Sequence, residues 1–319
     1  DLPAASNVEE FSHVPPVYTK TWFHTGVYIN RDHISDFFAG LAAKDNRDRY
    51  YREPGLSEAE FREQLLEDTH LPEGLTPEEE REACRALKGS MLRQEIYALD
   101  GTAKETHPYR VIEQNFTLQR LQPRAENRYA VFFSHPREAI EFHYERNPGD
   151  PRITHTLTFE VDSFGNVLKE AHVAYGRRQP NLDLPPEDRD RQAQTLVTYI
   201  EHRMTNPVDD SFSYRSPLPC EVKKYELTGY MADRRLTIDD FVQPDPEHPG
   251  RMVHRFDREL NYEEEPTGGK ERRLIGLKRI VYRPDDLGAS AGDSMALLPL
   301  GELQSRAILG ELYELGLTK

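Results

Sequence analysis

Four side chains in the N-terminal part of the sequence are of the kinds that bind metal ions. They are His24, Asp32, His33 and Asp36. Imidazole nitrogens and carboxylate oxygens are common zinc ligands, and a site needs three or four of them at a suitable spacing. The spacing here matches no known ligand set, and histidine beside aspartate is common on protein surfaces. We therefore expect no metal site at these residues.

Acidic side chains that could act as general acids or bases are plentiful in the middle of the chain. They include Glu113, Glu138, Glu141, Glu145, Asp150 and Glu160. A glycosidase uses two such groups at a fixed separation across a cleft, but a chain with 56 Asp and Glu residues contains many pairs by chance. His135 and His143 flank a predicted strand, where ordinary hydrogen bonds account for them. We expect none of these residues to be catalytic.

Other signatures of catalysis or cofactor binding are missing. We expect no GxSxG nucleophile elbow, and the sequence contains no P-loop and no GxGxxG motif that opens a helix. Cys84 lies on a predicted helix with no feature that would activate its thiolate, so we interpret it as a packing residue. The sequence predicts neither an enzyme nor a bound cofactor.

Charge and hydropathy limit the partners of the chain. The formal net charge is −15, with 37% hydrophobic and 30% charged residues and a mean hydropathy of −0.77. Binding to a phosphate backbone needs a basic surface that displaces counterions, so the charge argues against nucleic acid. The low apolar content favours open sheets with wide wetted faces over a compact globule.

Cellular location is indicated by what the sequence lacks. Residues 1–10 have neither the basic nor the apolar part of a signal peptide. No apolar stretch is long enough to span a bilayer, so we expect no direct membrane insertion. Cys84 and Cys220 are far apart in the sequence and are expected to be free thiols, which is typical of synthesis in a reducing cytosol.

Two helices are predicted from the residues that would cap them. Ser57-Glu58-Ala59-Glu60 is a capping box. Thr76-Pro77-Glu78-Glu79 is another, with proline at the first helical position. We expect helices within residues 57–67 and 77–88, and a single further turn at Thr237–Phe241.

Most of the remaining chain is predicted to form strands. They are expected at residues 17–29 (one or two strands around Gly26), 95–99, 109–121, 129–133, 140–144, 195–203, 221–227 and 274–282. His135-Pro136 predicts a turn, and residues 283–298 are rich enough in Gly, Ser and Asp to predict a loop. The fold class is therefore mainly β, an extended antiparallel sheet of hairpins with two or three short helices.

The clearest hairpin begins at Ile153. Alternate residues from Ile153 to Val161 are apolar or aromatic, and the residues between them are Thr and Glu, which is the period of a strand. Asp162–Asn166 supplies a turn in which Asp and Asn can bond their own backbone and Gly165 can adopt a positive φ. Residues 167–175 form the return strand.

One stretch, Gln179–Arg191, is proline-rich and densely charged, and it predicts an internal boundary. We accordingly divide the chain into four segments. They are a mixed strand and helix segment (1–91), an antiparallel hairpin region (92–178), a charged Pro-rich connection (179–193) and a further strand segment (194–319).

Ten short stretches spread over nearly the whole chain form a recognisable set. They are Trp22–Gly26, Arg85–Gly89, Leu92–Tyr97, Pro108-Tyr109, Tyr144–Arg146, Asp150–Ile153, Glu160–Tyr175, Tyr225–Gly229, Arg272–Ile275 and Leu298–Gly301. Together they resemble the B component of insecticidal Tc (toxin complex) toxins, a family related in part to SpvB-type virulence proteins and to Rhs proteins. The set is specific, whereas single members such as the turn at Gly165 are not.

The resemblance implies an internal wall segment of a secreted toxin, with residues 92–178 as the middle/C-terminal type of module. In that family the B component and the start of the C component wind strands into a hollow cocoon of the Rhs type. The cocoon holds the unfolded toxic region of the C component until a pore-forming A component delivers it. The implied partners are the remainder of the B component, the C component with its enclosed effector region and, indirectly, the A component.

The chain also departs from the family pattern. The β-propeller that docks the pore is not visible in this sequence. The self-cleaving protease of Rhs proteins uses paired Asp-Pro-x-Gly motifs, and neither Asp150-Pro151-Arg152-Ile153 nor Asp245-Pro246-Glu247-His248 fits that pattern. No toxic effector domain can be assigned. The resemblance therefore implies a structural part and not the active toxin.

Two other functions remain open at the level of sequence. A carbohydrate- or receptor-binding β-module could use an aromatic patch such as Tyr50-Tyr51. A hydrolase could use the acidic residues named above, if two of them converged in a pocket.

Overall fold

The chain is mainly β, which confirms the predicted fold class. A computed structural model describes residues 16–31, 34, 50–230, 234–245, 247 and 252–315. The chain divides into two compact units, one containing the described residues up to Ile153 with Arg177–Ala193, the other Thr154–Gly176 with those from Gln194 onward. Among the described residues, none of the helices is both long and apolar enough to cross a membrane.

The first unit is built on four antiparallel strands that pair in chain order. They are β1 (Val17–Phe23), β2 (Met91–Ala98), β3 (Arg110–Gln122) and β4 (Val131–His143). Its helices are α1 (Glu58–Gln64), α2 (Pro77–Ala86) and α3 (Pro186–Ala193). The strand predicted around Gly26 is a single one that ends before it, and Gly26 has a φ of 78°.

Both predicted capping boxes form. The Ser57 hydroxyl accepts a hydrogen bond from the Glu60 N–H at 3.3 Å, and the Glu60 carboxylate accepts one from the Ser57 N–H at 2.8 Å. Thr76 and Glu79 make the same exchange at 3.3 and 3.0 Å. Each exchange satisfies two backbone donors at a helix end, so α1 and α2 begin at the residues that the sequence predicts.

The core of the first unit lies between the helices and one face of the sheet. Ala83, Cys84 and Leu87 fall on one side of α2 and its C-terminal end, and they belong to the same buried cluster as Phe116 and Leu118 of β3. A second buried cluster consists of Leu66, Val111, Ile140, Phe142 and Tyr144. The buried positions of β3 are thus odd-numbered near its start and even-numbered near its end.

A β-bulge explains this change of parity and corrects one prediction. The turn predicted at His135-Pro136 is wrong, because β4 continues through both residues. Pro136 pairs with Phe116 just after a register shift between Asn115 and Phe116. A proline fits at a bulge because it has no N–H to donate to the ladder. The Asn115 amide oxygen accepts a hydrogen bond from the Glu138 N–H at 2.8 Å, which holds the irregular pairing.

The second unit contains the remaining strands. Its antiparallel strands, in spatial order, are β5 (Arg152–Val161), β6 (Val167–Ala174), β7 (Leu196–Met204), β10 (Pro219–Thr228), β14 (Glu271–Arg283) and β15 (Ile308–Glu314). A short strand, β13 (Arg258–Leu260), runs parallel to β14. Two small hairpins pair β8 (Val208–Asp209) with β9 (Tyr214–Arg215) and β11 (Val242–Pro244) with β12 (Met252–His254). The predicted turn at Thr237 is α4 (Ile238–Phe241).

The predicted hairpin of β5 and β6 is confirmed, as is its turn. The Asp162 carboxylate accepts hydrogen bonds from the N–H groups of Phe164 and Asn166, both at 2.9 Å. The Asn166 side chain donates to the same carboxylate at 2.9 Å. Gly165 has a φ of 87°, a conformation that costs a residue with a Cβ atom about 1–2 kcal/mol.

Aromatic residues dominate the core of the second unit. Its sheet contributes Leu157, Ala171, Val173, Val197, Tyr199, Tyr225 and Leu227, and the segment after β10 contributes Tyr230, Leu236, Phe241 and Val242. Tyr230 stacks on Phe241 with ring centres 4.9 Å apart. The His254 ring lies 4.7 Å from that of Tyr199, whose hydroxyl is 2.9 Å from His254 Nε2.

The main strands are predicted by the sequence, whereas seven of the described elements are not: α3, β15 and the short strands β8, β9, β11, β12 and β13. The strands expected at 195–203, 221–227 and 274–282 correspond to β7, β10 and β14, and the loop expected after Arg283 is a series of turns. No residue of α3 is buried, so α3 lacks the apolar period that marks a helix. Most of β15 is exposed, so it lacks the alternation that marks a strand. The division into four segments stays a prediction.

Replacing Gly165 by valine should lower the free energy of unfolding by about 1 kcal/mol or more, through strain at a positive φ. Thermal unfolding of the two proteins measures this directly. Gly165→Asn is the matched control, because asparagine tolerates the left-handed conformation better than other residues with a side chain. Equal melting temperatures for the valine variant and the original chain would contradict the role of this glycine.

Candidate functional site

His24 is a core residue of the first unit, while Asp32, His33 and Asp36 lie outside the described residues. The His24 side chain is buried, and its Nε2 lies 3.1 Å from the Thr69 hydroxyl. Burial lowers the pKa of its imidazole from 6.5 to about 4, so the ring is neutral at pH 7. Within the described part of the chain, no three ligand-type side chains come close enough to hold a metal ion.

The six carboxylates considered from the sequence lie against basic side chains and not against one another. Glu113 pairs with Arg93, Glu138 with Arg137, Glu141 with Arg110, Glu145 with Arg152, Asp150 with Arg177, and Glu160 with Lys169. His143 also contacts Glu141, and His135 Nδ1 lies 3.1 Å from the Pro136 carbonyl oxygen. Catalysis by two carboxyl groups needs them to face each other across a cleft at a fixed separation, whereas each of these carboxylates contacts a basic side chain of the fold. These pairs therefore join parts of the fold.

Both cysteines are buried free thiols. Burial raises the pKa of the Cys84 thiol to about 11, so it stays protonated at neutral pH and is a poor nucleophile. The Cys220 Sγ donates a hydrogen bond to the Arg203 carbonyl oxygen at 3.1 Å. Cys84 is the packing residue that the sequence predicts.

The loop after β14 has the spacing of a GxSxG motif, although the sequence analysis expects no such elbow. Residues Gly288–Gly292 read Gly-Ala-Ser-Ala-Gly and have the GxSxG spacing of α/β-hydrolases, in which the serine sits between a strand and a helix. Here the motif lies in consecutive turns, and no helix follows among the described residues up to 315. The Ser290 N–H donates to the Asp286 carboxylate at 2.9 Å. The spacing therefore belongs to a loop and not to a nucleophile elbow.

A buried arginine lies at the centre of the most developed polar arrangement in the first unit. The Arg93 side chain is only 5% exposed; its Nε donates to Glu95 at 2.8 Å and its Nη1 to Glu113 at 2.6 Å. Arg93 and Glu95 are two residues apart on β2, and Arg93 pairs with Glu113 across β2 and β3. The period of two and this register place all three side chains on one face of the sheet.

The two carboxylates of this network also hold chain segments and a tyrosine. Glu95 accepts hydrogen bonds from the Tyr51 N–H and the Tyr97 hydroxyl, both at 2.7 Å. Glu113 accepts one from the Leu66 N–H at 2.8 Å. Burial, together with the charge of Glu95, raises the pKa of Tyr97, which keeps its hydroxyl protonated as a donor. The network thus fixes the segment around α1 to the sheet.

A second network of the first unit surrounds Glu53. Its carboxylate accepts two hydrogen bonds from Arg178, at 2.7 and 3.2 Å, and one from the Tyr144 hydroxyl at 2.8 Å. Asp150 accepts from the Arg177 side chain at 2.9 Å and from the Arg178 N–H at 2.9 Å. These contacts hold residues 177–178 beside the end of β4. The carboxylates of Glu53 and Asp150 are both buried, and these hydrogen bonds satisfy them.

Three residues near Arg93 also line an open pocket of about 550 Å³, which we call the tyrosine pocket. They are Tyr50, Tyr51 and Tyr97, and the other lining residues are Tyr18, Lys20, Arg52, Leu99, Glu105, Thr106 and His107. Tyr18 of β1 pairs with Tyr97 of β2, with ring centres 6.2 Å apart. The aromatic patch named from the sequence, Tyr50-Tyr51, is therefore part of a larger aromatic surface.

The polar groups of the tyrosine pocket carry both signs of charge. The Lys20 Nζ lies 4.8 Å from the centre of the Tyr97 ring, and the Tyr51 hydroxyl is 3.1 Å from His107 Nδ1. Glu105 accepts a hydrogen bond from the Gly101 N–H at 2.5 Å. Aromatic faces with a few polar groups are typical of small-molecule sites. The tyrosine pocket is an open cavity with a lining of this composition.

The middle of the chain matches one known protein family. Residues 82–215 match the family described as insecticide toxin TcdB middle/C-terminal region. The resemblance to the Tc toxin B component is confirmed. The matched Tc toxin stretch runs from within α2 to the end of β9, and it includes Arg93, Glu95 and Glu113.

Solved Tc toxin structures share the fold over most of the chain. A crystal structure of TcdB2-TccC3-Cdc42 matches with a TM-score of 0.60 and 23% identity, and it covers 93% of this chain. A Photorhabdus luminescens Tc holotoxin pore matches with a TM-score of 0.61 and 22% identity over 93%. TcdB2-TccC3 without its hypervariable C-terminal region gives a TM-score of 0.58 and 24% identity over 93%.

The Tc toxin chains that match are much longer than this chain. The chain spans 13% of the length of each of these Tc toxin chains. A search of the curated proteins found no match. The comparisons therefore establish a Tc toxin fold and leave the role of the whole protein to be proposed.

Replacing Arg93 by methionine should lower the free energy of unfolding by about 3–5 kcal/mol. The change leaves two buried carboxylates without their shared cation, and breaking a buried ion pair from one side is costly. Urea titration of the variant and the original chain measures the difference. Arg52→Met is the matched control, because the Arg52–Glu58 pair is exposed and should contribute less than about 1 kcal/mol. Losses of equal size would contradict a central role for Arg93.

Acidification should destabilise the chain between about pH 6.5 and pH 4. Burial lowers the pKa of His24 and of His254 to about 4, so the unfolded chain takes up these two protons first as the pH falls. Each histidine should remove about 2 kcal/mol of stability at pH 5, relative to pH 7.

Urea titrations of the original chain and of His24→Gln, each at pH 7 and at pH 5, measure how much of the stability lost on acidification is due to His24. The variant should lose less stability on acidification than the original chain, whatever its stability at pH 7. His135→Gln, which alters a histidine outside the core, should leave the difference between the two pH values unchanged. An identical pH dependence in His24→Gln would show that His24 is not held neutral by folding.

Proposed function

We propose that the chain is a structural segment of the hollow β-shell of a secreted bacterial toxin complex, which encapsulates a toxic effector and helps to deliver it. The observation that carries this proposal is the shared fold over 93% of the chain with TcdB2-TccC3. As a wall segment, the chain would contact the remainder of the B component and the C component with its enclosed effector region. The pore-forming A component would be an indirect partner.

The sheet surfaces support this role. Several apolar side chains remain largely exposed on the strands of both units, among them Val17, Phe23, Leu121, Val131, Leu196 and Leu309. In a shell, the neighbouring wall or the enclosed polypeptide can cover such residues.

The charges support a structural role in place of a catalytic one. The candidate carboxylates are held by cations, and the two most buried networks join strands and segments of the first unit. Hydrogen-bonded ion pairs of this kind position strands and segments, in addition to the apolar clusters of each unit. We propose that the complex is made in the bacterial cytoplasm and acts outside the cell.

The test uses the complete B component that contains this segment, together with its C component. If the segment closes a shell, the effector region of the C component should resist added protease in the complex and be digested when it is alone. Arg93→Met should increase the rate of digestion in the complex, because local opening of the wall becomes easier. Arg52→Met should not. Equal digestion of the effector region with and without the B component would overturn the encapsulation role.

A further inference from the structure

The tyrosine pocket offers aromatic faces at its mouth and at its base. Tyr18 is 45% exposed and stands opposite the buried Tyr97, while Tyr50 and Tyr51 come from the segment before α1. A tyrosine ring combines an apolar face with a hydroxyl group that forms hydrogen bonds. A pyranose ring has the matching surface, since its C–H groups form an apolar face and its hydroxyls form the rim.

A lysine places positive charge in the same pocket. The Lys20 Nζ lies 4.8 and 5.7 Å from the ring centres of Tyr97 and Tyr18, and within the described part of the chain it has no carboxylate partner. This is notable in a protein with a net charge of −15, in which most basic side chains near the sheets are paired. The ammonium group is therefore available to an anion that enters the pocket.

The rim of the pocket supplies further polar partners. Among the residues that the structure describes, Arg52 is bound only by the exposed Glu58, at 3.0 Å, and such a surface pair is weak enough to exchange its partner. Glu105 uses one oxygen for the Gly101 N–H, and a carboxylate has further acceptor positions for ligand hydroxyls. The volume of about 550 Å³ is within the range of small-molecule sites.

We propose that the tyrosine pocket is a binding site for an acidic sugar, a pyranose that carries a carboxylate group. The ring stacks on Tyr18, the carboxylate binds the ammonium group of Lys20, and the hydroxyls bind the polar rim. The carboxylate of the sugar gives the Lys20 ammonium group an anionic partner beside the tyrosine rings. The hydroxyls of the sugar donate hydrogen bonds to the Glu105 carboxylate. This site is independent of the shell role, because it depends on the first unit alone.

Calorimetric titration of the full chain with glucuronate and with glucose tests the charge. The two sugars share the ring and differ in the carboxylate, so glucose should bind at least about tenfold more weakly, the value of one charge-assisted hydrogen bond. The affinity for glucuronate should fall when sodium chloride is raised from about 50 to about 500 mM, because salt screens a partly exposed charge.

Variants of the pocket locate the site. Lys20→Gln and Tyr18→Ala should each weaken glucuronate binding by about tenfold or more. The matched controls are Lys104→Gln and Tyr129→Ala, which alter an exposed lysine and an exposed tyrosine of the same unit that do not line the pocket. Both controls should bind as the original chain does, and melting temperatures verify that all four variants are folded.

Several outcomes would overturn the proposal. Equal affinities for glucuronate and glucose would remove the role of Lys20. The absence of saturable glucuronate binding would remove the site. Equal losses in the pocket variants and the controls would make binding non-specific. Tighter binding of a tetraglutamate peptide than of glucuronate would assign the pocket to acidic peptides and not to sugars.

Discussion

The first unit depends on one buried cation. Arg93 enters the sheet with almost no access to water, and a charge in that position is tolerated only if its donors find acceptors. Glu95 and Glu113 accept hydrogen bonds from the Arg93 guanidinium. The same two carboxylates also accept hydrogen bonds from the N–H groups of Tyr51 and Leu66. The segment that carries α1 buries the side chains of Phe61, Leu65 and Leu66. Its backbone is also held by hydrogen bonds to the two carboxylates that bind Arg93.

Features encoded within a few residues could be predicted from the sequence. The capping boxes at Ser57 and Thr76 and the turn at Gly165 each require only neighbours in the chain, and each is present in the structure. The period of two likewise gave the main strands. These signals are local because the physical interactions behind them are local.

Features that depend on distant partners could not be predicted. His135-Pro136 resembles a turn until Phe116 and Asn115 of the neighbouring strand supply a bulge that accepts the proline. The same limit applies to the candidate site. The sequence indicates Tyr50-Tyr51 as an aromatic patch, but Tyr18 and Tyr97 join it only through the pairing of β1 with β2. Arg93 likewise gives no sign of burial in a chain with 41 Lys and Arg residues.

The network and the tyrosine pocket are connected through a single carboxylate. Glu95 binds the backbone of Tyr51 and the hydroxyl of Tyr97, so it fixes two walls of the pocket while it neutralises Arg93. Arg93 in turn packs its guanidinium against the ring of Tyr50, 4.6 Å from its centre. Side chains that are held in place before a ligand arrives lose less entropy when it binds. In the first unit, buried ion pairs thus position the pocket in addition to the hydrophobic packing of the core clusters.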